Sequence, residues 1–383
     1  LRGIVTRDLL VTNRTRILLL AFGLLALVAS VGMARHDAAA AASRTWPPFV
    51  LVTGLLLIGA VAYEDGTFEA AGALLDRLPG GERVLYVVAM GLVAGVTVVL
   101  NLDTSVAFLT PVLVGAARRR GASEERLLYG CVFLSNSASL LLPGSNLTNL
   151  LVLSGTHVSG SAFLRSMALP WVAAVVVTIS GVAVAFRRRG AGPHQPERVP
   201  ARARLLSVVS IGLAAVLVVA LSDPAVPVLA VGLLAGTIRL AQRRIHPERI
   251  ARAVDVASLG AVFLVATALG TLARAWTFPG HLMRTAASGQ TAALGAVASV
   301  LVNNLPAAVL LGSGAPAHPR SLLLGLNIGP NLAVTGSLSA LVWWQAARSV
   351  GARPSARRYS AVGILLAPAA IAAALAAGHV HIG

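Results

Sequence analysis

Long apolar runs alternate with short arginine-bearing breaks along this chain. The runs at 17–33, 49–63, 163–186, 205–221, 226–240, 254–272 and 360–377 each read as a helix that crosses a bilayer. The stretch 64–83 differs: it is rich in acids, and its apolar spacing predicts an amphipathic surface helix over 68–78. Four further runs carry polar residues at their middle. The run 84–117 is centred on Asn101-Leu-Asp103-Thr104-Ser105, and 291–314 on Asn303-Asn304-Leu-Pro306. The run 125–154 is broken by Ser135-Asn136-Ser137 and by Pro143-Gly144-Ser145-Asn146-Leu-Thr148-Asn149. The run 321–347 is broken by Asn327-Ile-Gly329-Pro330-Asn331 and Thr335-Gly336-Ser337. Proline and glycine among amides predict interrupted helices whose freed backbone groups face a ligand.

Composition fixes the class. The chain has 383 residues, 56% of them hydrophobic and 12% charged, with a mean hydropathy of +0.80. That predicts an all-α polytopic membrane protein. The net charge is +17, and every basic residue other than histidine is arginine. The arginines cluster between the apolar runs, at Arg118-Arg119-Arg120, Arg187-Arg188-Arg189, Arg243-Arg244 and Arg357-Arg358, with no aromatic interleaving. This is the mark of cytoplasmic loops rather than of a nucleic-acid platform.

With those clusters placed inside, the N-terminus is cytoplasmic and the C-terminus extracytoplasmic, in a multi-pass protein of the cell membrane. Arg83 and Arg118 then lie on one side, which makes 84–117 a re-entrant hairpin from the cytoplasm. By the same reading 291–314 is a second hairpin entering from the opposite face. The halves also align without gaps from Asn136–Leu150 onto Asn327–Leu341, and Asp103 falls over Asn304. The expectation is two inverted repeats, 1–189 and 205–383, joined by a cytoplasmic linker at 190–204. Each holds a re-entrant helical hairpin and a discontinuous transmembrane helix. The second half has one more leading helix, so the first is expected to lack its own. The basic start and the run 17–33 could be a secretory signal, but without a clear cleavage site the run is read as a retained helix.

Asp103 is the only carboxylate deep within an apolar run, and an acid at that depth usually faces a pathway. Its alternative is a turn-capping role nearer the surface. With Asn101, Thr104 and Ser105 it forms one candidate cluster. Asn136, Ser145, Asn146 and Thr148, then Asn303 and Asn304, then Asn327, Asn331, Thr335 and Ser337 complete the proposed substrate and ion set. Singly, each could equally be interhelical glue. No cofactor is called for; a proton or sodium is the expected coupling ion. The single cysteine, Cys131, excludes an internal disulfide and a multi-thiolate metal site. The histidines lie scattered at run edges. Ser145 with a distant His157 or His281 could imitate an intramembrane hydrolase, but those histidines sit at run edges and the geometry is rarely met.

These motifs resemble the ion transporter superfamily and, within it, the arsenite-efflux permeases. The resemblance runs from about Trp46 to Ala377. It rests on Tyr63-Glu-Asp-Gly-Thr-Phe-Glu69, Asn101 to Pro111, Ser145-Asn-Leu-Thr-Asn149 and Val302-Asn-Asn-Leu-Pro306. Its strongest part is Asn327-Ile-Gly-Pro-Asn-Leu-Ala-Val-Thr-Gly-Ser-Leu-Ser-Ala-Leu-Val-Trp-Trp344. The resemblance implies a secondary active transporter with a domain that moves against a scaffold, and efflux of arsenite, antimonite or a related small inorganic solute. A small anion of dicarboxylate type is the other cargo to consider. The partners it brings are the bilayer, a homodimer mate and a soluble ATPase subunit. One departure stands out: both interrupted helices open with Asp in the arsenite-efflux pattern, and here with Asn136 and Asn327.

Overall fold

The computed structural model describes residues 13–154, 158–187 and 204–378. All but Arg204 of the expected linker, together with His157 and the tail after Gly378, lies outside the described residues. Within them the chain is helical throughout, with no strand. The first part runs α1 (Asn13–Glu64), α2 (Thr67–Arg77), α3 (Glu82–Val99), α4 (Leu102–Arg119), α5 (Glu124–Ala138), α6 (Leu147–Leu153) and α7 (Gly160–Ala185). The second runs α8 (Leu205–Ala220), α9 (Ala225–Ala241), α10 (Pro247–Val254), α11 (Val256–Ala275) and α12 (Phe278–Thr285). It closes with α13 (Ser288–Val302), α14 (Asn304–Gly312), α15 (Pro319–Ile328), α16 (Leu338–Ser349) and α17 (Ala356–Gly378). Among the described residues, five segments are long and apolar enough to cross a membrane: Ala34–Glu64, Glu82–Val99, Gly160–Ala185, Val256–Ala275 and Ala356–Gly378.

One boundary expectation fails. α1 is two helices joined at a kink at Ala34 (φ −155°, ψ 72°), where the expected first run ends, and 35–48, read as a connection, belongs to the second of them. The alanine run 38–42 is a strong helix former, and Pro47 and Pro48 are absorbed within the same helix. The short helices α10 and α12 were not legible from the apolar runs.

α1 and α9 cross closely because glycines meet there. A Cβ on Gly232 would lie 2.7 Å from the Gly54 carbonyl oxygen, and one on Gly54 would lie 2.7 Å from the Leu229 nitrogen. Where both helices end, Asp65 and Arg239 form a buried ion pair: Arg239 Nη2 and Nε reach Asp65 Oδ2 at 2.6 and 3.1 Å.

Arginines tie the helix ends together at one end of the bundle. Arg120 donates to the carbonyls of Leu78 and Gly80, each at 2.7 Å, so the feet of α3 and α4 meet and the pair forms a hairpin. Arg119 pairs with Asp76 at 2.7 Å, and Arg118 reaches Glu124 at 2.7 Å and the Val350 carbonyl at 2.6 Å. Arg126 joins Glu82 at 2.9 Å and the Phe186 carbonyl at 3.1 Å, and Arg358 pairs with Glu125. The feet of α13 and α14 have their own ties, where Gly280 abuts Gly314, Ala317 N donates to the Met283 carbonyl at 3.1 Å and Ser288 meets Ser321 at 2.8 Å.

Candidate functional site

Four helices begin on polar caps at the two hairpin turns and the two breaks; the caps Asn101, Asn146 and Ser337 are buried, and Asn303 is half-buried. Asn101 (φ 144°) caps α4 by accepting from Thr104 N at 2.8 Å, and Asn303 (φ 74°) caps α14 by accepting from Leu305 N at 3.4 Å. Both combine positive φ with an extended ψ (172° and 151°), a region that side-chain-bearing residues rarely enter, so both hairpin turns are strained and are held by their cap hydrogen bonds. Asn146 caps α6 through Thr148 N at 3.1 Å, and Ser337 caps α16 through Ala340 N at 3.2 Å. Each cap satisfies a free N–H and leaves the partly positive helix end facing inward.

Hydrogen bonds join the four starts. Ser145 Oγ donates to the Val98 carbonyl at 2.9 Å, and Ser135 Oγ to Ser105 Oγ at 3.2 Å, which fixes the α3–α4 turn to the first break. Ser339 Oγ donates to Asp103 Oδ1 at 2.5 Å and links that turn to α16. Asn303 Nδ2 reaches the Thr335 carbonyl at 3.3 Å and brings the α13–α14 turn to the second break. The breaks themselves are bound through Asn327. Its Oδ1 accepts from Asn146 Nδ2 at 2.7 Å and lies 2.7 Å from Ser139 Oγ. Its Nδ2 donates to Asn149 Oδ1 and to the Leu323 carbonyl, both at 2.8 Å. Asn136 Nδ2 donates to Asn331 Oδ1 at 2.8 Å, and Asn331 Nδ2 to the Phe133 carbonyl at 3.1 Å.

Of the fourteen candidate residues, only Asp103, Asn303 and Thr335 keep more than slight exposure. Asn101, Thr104, Ser105, Asn136, Ser145, Asn146, Thr148, Asn304, Asn327, Asn331 and Ser337 are buried. Thr104 packs on α1 where a Cβ at Gly59 would come within 2.9 Å of its methyl. Several buried polar atoms in this region have no hydrogen-bond partner: Thr97 Oγ1, Asn101 Nδ2, Thr104 Oγ1, Asn136 Oδ1 and Thr148 Oγ1. Each such group costs about 1–3 kcal/mol while it stays unpaired. Among the described residues no three His, Cys, Asp or Glu side chains gather as a metal site.

Neighbouring helices supply donors to carbonyls near the breaks. Trp171 Nε1 on α7 donates to the Ala138 carbonyl at 2.9 Å, and the Tyr359 hydroxyl on α17 donates to the Pro330 carbonyl at 3.0 Å. Ser339, Ser139 and Asn149 belong to the cluster although they are absent from the candidate set. A sequence signal for Ser339 existed: it follows Asn327 by the same interval as Thr148 follows Asn136.

A helical membrane bundle with two hairpins and two interrupted helices, whose capped starts are hydrogen-bonded to one another inside it, is the build of a secondary transporter rather than of an enzyme. The chain matches the citrate transporter (CitMHS) family model over residues 9–342 and belongs to that family. It is 25% identical over 336 residues to the arsenical pump membrane protein of Escherichia coli, covering 78% of each chain. Its fold is similar to that of the YdaH transporter of Alcanivorax borkumensis, a crystal structure described as having an unusual topology. The TM-score there is 0.59 at 12% identity, over 95% of this chain and 97% of that one.

Proposed function

We propose that this transporter moves arsenite, antimonite or a closely related small inorganic hydroxide out of the cell, coupled to a proton or sodium gradient. One observation carries the reading: the interior cluster is made of amides and hydroxyls around one carboxylate, and no arginine among the described residues hydrogen-bonds into it. A neutral trihydroxide matches such a ring of donors and acceptors. Covalent capture of trivalent arsenic would need several thiolates, and Cys131 is alone. The similarity to the arsenical pump membrane protein supports the same cargo.

In this reading Asp103 carries the coupling proton or cation, with Asn101, Thr104, Ser105 and Ser145 around it. Asn136, Asn146, Thr148, Asn303, Asn304, Asn331, Thr335 and Ser337 form the rest of the cargo site, and Asn327 ties its two breaks together. The halves 1–189 and 205–383 act as inverted repeats whose hairpins and breaks move together against α1 and its neighbours. A second cargo class, a small carboxylate, is favoured by the four inward helix starts, whose positive ends suit an anion. Transport in inside-out vesicles separates the two, using arsenite, antimonite, citrate and a dicarboxylate, each with and without a proton or sodium gradient. Gradient-driven accumulation of the carboxylates alone would overturn the first reading.

A further inference from the structure

Asn136 and Asn327 hold matching places before the two breaks, yet their carboxamides are used differently. Asn327 uses both nitrogen hydrogens and its oxygen, with partners on α5, the α6 cap, α6 and its own helix. Asn136 donates to Asn331 and its amide also meets the Tyr359 hydroxyl, while its Oδ1 is fully buried and unpartnered.

The orientation of Asn136 is fixed by its neighbour. Asn331 Nδ2 is committed to the Phe133 carbonyl, so Asn331 Oδ1 must face Asn136 Nδ2. Turning the Asn136 amide over would set two carbonyl oxygens against each other. Nearby donors are also committed. Ser135 goes to Ser105, Ser137 pairs with Thr178, Ser139 lies against Asn327 and its own turn, and Tyr359 donates to Pro330. A bare acceptor therefore stands at the end of α5, in the same cluster as the unpartnered Thr148 hydroxyl.

We propose that Asn136 Oδ1 accepts a hydrogen bond from a hydroxyl of the cargo, whereas Asn327 is a positioning residue that binds the two breaks together and does not touch the cargo. The proposal rests on the transport reading above and sharpens it. A fixed acceptor selects a ligand that brings a hydrogen, and it repels a carboxylate oxygen. The two amides, equal by alignment, have divided into a ligand and a latch.

The test uses the purified full chain in lipid nanodiscs, with calorimetric titration of antimonite, citrate and sodium, and thermal unfolding without ligand. Asn136→Ala is expected to weaken antimonite binding by about tenfold, the loss of one hydrogen bond to the cargo, with a modest fall in Tm from the Asn331 oxygen left unpaired. Asn327→Ala is expected to give the larger fall in Tm. Should Asn136→Ala not fold, Asn136→Ser, which can keep a bond to Asn331, is measured in the same way. Antimonite affinity within about twofold of wild type in the Asn136 variant overturns the proposal. So does a loss confined to sodium, which would give the oxygen to the coupling ion. If the wild type binds citrate and not antimonite, the inorganic cargo reading falls. The Asn136 assignment is then decided on citrate, which also carries a hydroxyl. A wild type that binds neither overturns both.

Discussion

Replacing Gly363 by alanine should damage the second break from outside it. Gly363 lies on α17 where that helix crosses the break, and a Cβ there would sit 1.8 Å from the Asn331 carbonyl oxygen and 2.8 Å from its carbon. Ordinary contact needs about 3.5 Å, so α17 and the break must separate by well over an ångström. The Asn331 side chain holds Phe133 and Asn136, and Tyr359, one turn away on α17, holds Pro330. Overpacking costs about 1–3 kcal/mol and the three strained hydrogen bonds about 1 kcal/mol each, which sums to roughly 4–6 kcal/mol. Gly91 on α3 is the control, since nothing lies within 4 Å of a Cβ there. Alanine at that position should be neutral or stabilise by up to about 1 kcal/mol through helix propensity. Thermal unfolding in detergent and gradient-driven transport in vesicles read both variants. The reasoning is refuted if Gly363→Ala unfolds with Gly91→Ala and transports like wild type.

Asp103→Asn is expected to abolish gradient-driven transport while leaving a folded protein; full retention of coupled transport would place coupling elsewhere. Ser339→Ala, which removes the donor to Asp103, should change the proton or sodium dependence of transport more than it changes protein yield, and an unchanged ion dependence would count against that contact. Asp65→Ala leaves Arg239 buried without its carboxylate and should cost about 3–5 kcal/mol in thermal or denaturant unfolding. The double variant Asp65→Leu with Arg239→Met should recover most of that loss; a double variant as unstable as the single one would mean the packing, not the charge, was at stake.

The turns at Asn101 and Asn303 and the breaks at 135–149 and 327–337 were legible in the sequence because proline, glycine and amides inside apolar runs are local signals. The amphipathic helix expected over 68–78 is α2, Thr67–Arg77. The early start of the second α1 helix, after the kink at Ala34, was hidden because Arg35, His36, Asp37, Pro47 and Pro48 look like a loop, whereas α9 and α11 pack along α1. Hydrogen-bond partners were the least legible part. Asn327 meets residues that lie near 140–150 in the chain, and no local pattern says whether an amide there will be saturated or left open. Alignment of the halves treats Asn136 and Asn327 as equals; only their neighbours tell them apart. The burial of Asp65 escaped notice for the same reason, since its partner Arg239 lies at the end of a different run.

Cys131 sits in the core of α5, fully buried, with the Thr110 hydroxyl 3.6 Å from its sulfur. A thiol so enclosed is shielded from aqueous maleimides while the protein stays folded. The chain has no other cysteine, and no lysine. A cysteine introduced on an exposed position therefore becomes a unique attachment point for a fluorophore or spin label without first removing the native one. Pairs of such labels, one at the tip of the α13–α14 hairpin and one on α9, would report the distance between hairpin and scaffold helix during turnover in an otherwise unaltered protein.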